Sequence, residues 1–354
     1  MSIVLTIVAF VIILSILVMV HELGHFVTAR VSGVKVEEFG LGYPPRIYGY
    51  KRGETIYSIN AVPFGGFCKM LGEEDPQYPR SLASKSVPTR ILILSAGSLM
   101  NILLPIVLFA ISFMVPHNTV YETVVVEEVA PGSPAQAAGI EAGDTILAIN
   151  GHETNNRGQI GYYIQLKLGK PVDMVIQKPD GSTKELSVMT RWKPPEGQGA
   201  TGIMIRGVDS TIVRESLHVW EAVPKSFVHC WEILVLFKNE IVGWFTRDTA
   251  PLVAGPVAIA QMTGEFVKAG LSPLIEFAAL ISISLGIANL LPFPALDGGR
   301  LAFVVLEWVR RGRRISPQKE GLVHLVGFFI LIALIMVVTY NDILRIIQGG
   351  SLLP

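Results

Sequence analysis

The stretch VMVHELGHFVTAR, residues 18–30, places two histidines and a glutamate at the end of an uncharged run. On an α-helix, residues four apart share a face, so His21 and His25 can offer their imidazoles to one metal ion, with Glu22 angled toward the same space. This H-E-x-x-H spacing supplies two zinc ligands and a carboxylate able to take a proton from metal-activated water. The chemistry it equips is metal-assisted hydrolysis. Residues 3–20 carry no charge, which is long enough for a lipid-spanning helix, and ionisable groups inside such a helix read as functional by default. A structural cluster at a helix end dissolving in headgroups fits poorly, because the first basic residue, Arg30, lies about 13 Å further along the axis than His21.

A catalytic zinc site uses three protein ligands and keeps one position for water, so a third donor must come from elsewhere at membrane depth. The candidates are Glu276, Asp297, His324 and Asp342. Glu276 and Asp342 fall at the outer ends of their spans, far from the inner-side motif. His324, near the inner start of the last span, reads first as a helix-packing histidine. Asp297 falls at the inner end of the third span, level with His21 and His25, in NLLPFPALDGGR, where Pro292 and Pro294 break the helix and free backbone groups.

The elements that must position these groups are legible in the hydropathy. The 354 residues are 50% hydrophobic and 16% charged, and 29 basic residues balance 29 acidic ones. With a mean hydropathy of +0.49 this describes a polytopic α-helical membrane protein and gives no sign of a nucleic-acid partner. Four transmembrane helices are expected, from residues 3–20, 91–115, 274–293 and 322–340. Nine basic residues lie between Arg30 and Arg90 and six between Arg300 and Lys319, so the positive-inside rule puts those two connections in the cytoplasm, with HELGH toward that side. Both termini and residues 116–273 are then extracytoplasmic. Cys68 and Cys230 fall on opposite sides and are not expected to pair. The amino-terminal helix lacks the basic start and small-residue cleavage site of a secretory signal and reads as retained.

The chain divides accordingly into residues 1–116 with the first two spans, 117–206, 207–273 and 274–354 with the last two. Within the first part, residues 34–71 alternate like strands and read as a small membrane-associated β-rich loop. Residues 207–273 read as an amphipathic helical linker lying along the membrane or against other helices. EWVRRGRRIS, after the third span, is a basic amphipathic stretch suited to anionic membrane lipid. In 117–206, the sequence VVVEEVAPGSPAQAAGIEAGDTILAINGHE gives strand, turn, short helix, turn and strand. That combination resembles an inserted PDZ-like α+β domain of the bacterial, rearranged type. The resemblance implies either capture of a peptide carboxyl terminus at a sheet edge, with the loop from Gly199 to Gly202 as the backbone nest, or a size filter against bulky ectodomains, and the sequence does not choose between them.

HELGHFVTAR, AGSLMN, GPVAIA and NLLPFPALDGG follow one another along nearly the whole chain, with the PDZ-like insert between the second and third spans. The sequence resembles the site-2 proteases, intramembrane zinc metalloproteases, in their bacterial regulator-of-sigma-E branch. By that resemblance His21, His25 and Asp297 hold one zinc ion per chain, Glu22 is the catalytic acid/base, and Asn289 holds substrate. The implied activity is hydrolysis of peptide bonds within transmembrane segments of pre-trimmed single-span proteins, such as anti-sigma factors, in a bacterial inner membrane. The chain departs from the best-known enterobacterial members in having room for one PDZ domain and not two. A metal or proton-coupled transporter and a catalytically decayed scaffold are the rival classes. The first lacks a polar path in spans two and four, and the second conflicts with an intact ligand set.

Overall fold

The computed structural model describes residues 3–73, 75–246 and 254–348. The chain forms two compact units, Met1–Ser112 with Val253–Pro354, and Phe113–Leu252.

Helix α1 (Ile3–Val31) runs unbroken for 29 residues through the HELGH stretch, past the end of its uncharged run. Two long bent strands follow, β1 (Val36–Arg52) and β2 (Thr55–Met70). Their register turns two strands into four short segments side by side. Residues 46–52 pair with 55–60, as in Arg52 opposite Thr55, and 55–60 lie alongside Glu38–Leu41. On its other edge the Glu38–Leu41 segment meets Lys69–Gly66. The β-rich loop expected at 34–71 is therefore a real sheet, with residues 66–70 on its outer margin. Helix α2 (Val87–Met114) carries Pro105 in its interior and completes the amino-terminal part.

The second unit begins with β3 (His117–Val129), the short helix α3 (Pro134–Ala137), β4 (Thr145–Ile149) and β5 (His152–Glu153). Helix α4 (Arg157–Leu166), β6 (Pro171–Gln177), β7 (Thr183–Met189), β8 (Ile203–Glu215) and α5 (Val219–Thr246) follow. The sheet order is β7-β6-β4-β3-β8, with β5 hairpinned on β4. Ser133 and Asn156 cap α3 and α4 through their side-chain oxygens, as their residue types favour. Val124, Val126, Ile146, Ile149, Ile160, Met174 and Ile176 form one buried apolar core between the sheet and its helices. β8 corrects the expected boundary at residue 206. It continues to Glu215 because its whole length pairs with β3, from Val129 opposite Ile203 to His117 opposite Glu215. The linker expected over 207–273 is thus strand at its start, then α5, which packs on α4 within this unit.

The carboxyl-terminal part returns to the first unit with α6 (Pro256–Ala269), α7 (Leu271–Leu290), α8 (Asp297–Val309) and α9 (Pro317–Ile347). Helices α1, α2, α7 and α9 are long and apolar enough to cross a membrane. The third such helix ends at Leu290, earlier than the expected Phe293, so that Asp297 opens a separate helix. Helix α8 is fixed at both ends by acid–base contacts. Near its start Arg300 pairs with Glu73 at 2.5 Å, and near its end Glu307 accepts from Arg90 at 2.6 Å and Arg314 at 3.0 Å.

Candidate metal centre

Two elements bring three donors to one point. His21 and His25, one turn apart on α1, are only 6% and 5% exposed, and Asp297 reaches them from the first residue of α8. The His21 Nε2 to Asp297 Oδ2 distance is 2.9 Å, His25 Nε2 to Asp297 Oδ2 is 3.2 Å, and the two Nε2 atoms are 3.2 Å apart. A single tetrahedral zinc ion with bonds near 2.0–2.1 Å would hold its ligands about 3.3 Å apart, so the spacing fits one ion.

The hydrogen-bond partners make the same case. His25 Nδ1 donates to the Ile93 carbonyl at 2.8 Å, which in the neutral ring leaves Nε2 as a bare lone pair. That lone pair faces a carboxylate oxygen and a second imidazole nitrogen, an arrangement that a cation between them would satisfy. Asn101 on α2 lies beside His21, with Nδ2 at 3.4 Å from Nδ1, while its own Oδ1 is buried without a partner among the described residues. Turning the amide over puts that oxygen on the His21 Nδ1–H and frees the His21 Nε2 for the ion, which satisfies the orphan.

Local sequence explains the close approach. A Cβ on Gly97 of α2 would lie 2.4 Å from His25 Nε2 and 2.7 Å from His21 Nε2, so only glycine leaves room for both rings. A Cβ on Gly298 would lie 2.0 Å from the Leu291 carbonyl, so the loop between α7 and α8 can fold back tightly only because Gly298 follows Asp297.

A cavity of about 340 Å³ adjoins the triad, lined by Glu22, His25 and Asp297 on one side and by Tyr43, Cys68 and Met70 of the sheet on the other. The outer sheet segment 66–70 therefore runs past Glu22, with the Gly66 backbone against the glutamate's side chain. Glu73 ties this segment down by accepting the Met70 N–H at 3.1 Å while holding Arg300.

The other sequence candidates are used elsewhere. Glu276 accepts from Ser112, Asp342 accepts the Ala258 N–H at the start of α6, and His324 accepts the Ala295 N–H. Asn289 sits half-buried in the last turn of α7 and makes no side-chain hydrogen bond among the described residues. Gly199 and Gly202 belong to the other unit, where they close a tight turn: the Gly202 N–H donates to the Gly199 carbonyl, which also accepts from Arg191. Gly202 is at φ +80° and passes so close to Ser133 that a Cβ there would clash. Cys68 and Cys230 are both buried and are not joined to each other. Sequence reasoning assigned no role to Gly97, Asn101 or the Ile93 carbonyl. The AGSLMN motif holds two of them.

Among the described residues, four helices able to cross a membrane and a His-His-Asp triad with both imidazoles buried, beside a glutamate, define a multi-pass membrane metalloenzyme. Residues 9–334 match the model of peptidase family M50, and the chain belongs to that family, the site-2 proteases. A protein of Clostridium acetobutylicum whose name places it provisionally among zinc metalloproteases is 36% identical, over 97% of both chains. The zinc metalloprotease RasP of Geobacillus kaustophilus is 30% identical over 96% of this chain and 97% of its own. The regulator of sigma-W protease RasP of Bacillus subtilis is 29% identical over 96% and 99%. As a member of this family the chain is a metalloprotease, and zinc is the ion expected at the triad.

Proposed function

We propose that the protein cleaves peptide bonds inside the membrane-spanning segments of other proteins. His21, His25 and Asp297 hold one zinc ion and Glu22 moves the proton. The observation that carries this reading is the triad itself, whose three donors face one another at 2.9–3.2 Å with Glu22 on the adjoining cavity. The chemistry that zinc supplies when bound is polarisation of the peptide carbonyl and activation of water. Glu22 accepts the proton of that water and later delivers it to the leaving amide nitrogen, so one carboxylate serves as base and then acid.

A helical substrate has its carbonyls occupied internally and must unwind before its peptide bond is reached. Segment 66–70 supports this step, since an extended substrate can add to its outer edge and regain backbone bonds beside Glu22. Asn289 holds a further backbone group of the substrate. The natural substrates are single-span proteins already shortened outside the membrane, anti-sigma factors among them, as the naming of the Bacillus relative for sigma-W suggests.

Residues 117–215 act as the PDZ-like domain. β8 ends the sheet order with its outer edge next to α4, and the turn at Gly199–Gly202 leads into it, which suits reception of a peptide carboxyl terminus there. The excess of basic residues between Arg30 and Arg90, and between Arg300 and Lys319, supports an orientation in a bacterial inner membrane with both termini and this domain outside. The arginines after α8 then meet anionic lipid on the inner face.

The test is Glu22→Gln with zinc retained. Cleavage of a model membrane substrate should fall by roughly 10²–10⁴-fold while bound zinc stays constant. Undiminished turnover by that variant would exclude the assigned role.

A further inference from the structure

Residues 291–296 deliver Asp297 to the triad, and their backbone is held in an unfavourable shape. Ala295 is at φ +77°, in the left-handed region that a residue with a Cβ seldom occupies. Two residues of α9 grip this loop from one face. The Ala295 N–H donates to His324 Nδ1 at 3.0 Å. Pro294 lies so close to Gly327 that a Cβ on Gly327 would fall 2.2 Å from the Pro294 Cβ.

His324 is an unusual choice for packing alone. Its Nδ1 accepts from Ala295, so the neutral ring carries its proton on Nε2, and that nitrogen is buried without a partner among the described residues. The Phe303 ring lies against the imidazole with centroids 5.5 Å apart. A buried donor left unpaired is a standing cost, which an apolar side chain of similar size would avoid. What the imidazole does and the apolar side chain would not is accept the Ala295 N–H.

We propose that His324 is a positioning residue for the metal centre: its bond to the Ala295 backbone holds the left-handed turn that aims the Asp297 carboxylate at His21 and His25. It touches neither the ion nor the substrate and acts through the loop. The inference rests on Asp297 being a zinc ligand. It also accounts for the pairing of Gly327 with His324 on one face of α9, since the glycine lets the loop come close enough for the bond to form.

The experiment uses the full chain, purified in detergent and loaded with zinc, and measures bound zinc and the rate of its release to a chelator. His324→Leu should release zinc about 10–100-fold faster than the native chain, the range seen when groups supporting a ligand are lost. His324→Asn, whose amide oxygen stands where Nδ1 stood, should release it at close to the native rate. Adding Ala295→Gly to His324→Leu should restore retention, because glycine takes the left-handed conformation without help. Native-like release from His324→Leu, or equally fast release from the Leu and Asn variants, overturns the proposal.

If His324→Leu does not fold, Ala295→Val in the native background carries the test. Its branched side chain disfavours the turn and should speed release, and unchanged release overturns the assignment. Asp297→Ala separates the two levels of the reading. A native chain whose zinc is indifferent to that change refutes both the zinc site and this inference, whereas zinc that depends on Asp297 but not on His324 refutes the inference alone.

Discussion

The two units of the chain both bury apolar residues but differ in how much polar contact they bury with them. In the unit of residues 113–252 the interior is a continuous set of Val, Ile and Met side chains. The other unit has an apolar cluster too, with Val34, Val36, Ile93, Leu94 and Val304, but its helices also meet through buried small and polar groups: Ser282 donates to the Asn101 carbonyl at 2.7 Å, Ser112 and Ser272 share a bond of 2.8 Å, and the two imidazoles face Gly97. The difference follows from the solvent. In water, burying apolar surface drives packing, but lipid chains are as apolar as leucine, so helices in a bilayer associate through close approach and hydrogen bonds. A chain packed on polar contacts has already met part of the cost of placing a metal site among them.

If that contrast is right, adding one methyl group to the polar unit should be costlier to function than deleting several from the apolar one. Gly97→Ala is the strongest test, because the new Cβ would fall 2.4 Å from His25 Nε2. Zinc affinity should drop by at least about tenfold and proteolysis with it, measured by metal content and by cleavage of a model substrate. Retention of full zinc binding would mean that α2 yields easily and that the packing is looser than described.

Next in size is Ile149→Ala, in the core of the other unit, where Ile149 is fully buried. It should cost that unit about 2–5 kcal/mol, read from hydrogen exchange of the β4 amides, with bound zinc unchanged. Loss of zinc in this variant would show that the two interiors are coupled.

The smallest effect concerns pH. Glu232 on α5 lies 3.8 Å from His229 and accepts from the Tyr162 hydroxyl of α4 at 2.8 Å. His229 first, then Tyr162, hold its carboxyl below the ordinary carboxylate value despite partial burial. A carboxyl whose value is lowered by folding stabilises the native state above its unfolded value of about 4.5, and that stabilisation is lost as pH falls through the lower, folded value. Proteolytic nicking between α4 and α5 should therefore rise as pH drops below about 4.5, and Glu232→Gln should flatten the dependence.

Much of this was legible in the residues. His21 and His25 were readable because helical spacing alone puts them on one face, and the spans because an uncharged run of that length has few other uses. Asp297 could be ranked above Glu276 and Asp342 because the positive-inside rule gave each residue a depth. Contacts between segments distant in sequence were not legible. Nothing in residues 36–70 announces that Glu38–Leu41 will lie between two parts of β2. Likewise, the continuation of β8 to Glu215 depends on β3, which is far away in sequence. Asn101 and Gly97 carry no periodic signal, since their importance comes from what α1 places against them. His324 looked like a packing residue because its single bond is to a backbone amide, which no side-chain motif records.

The last helix is attached at few places. Among the described residues of α9 only Gly327 and Asp342 are buried, the first against Pro294 and the second at the start of α6, with His324 bonded one turn before Gly327. Most of its other side chains are exposed and in a bilayer would face acyl chains. Its outward composition is thus free to follow the thickness and fluidity of whatever bilayer hosts it, while three fixed positions keep it from rotating or sliding.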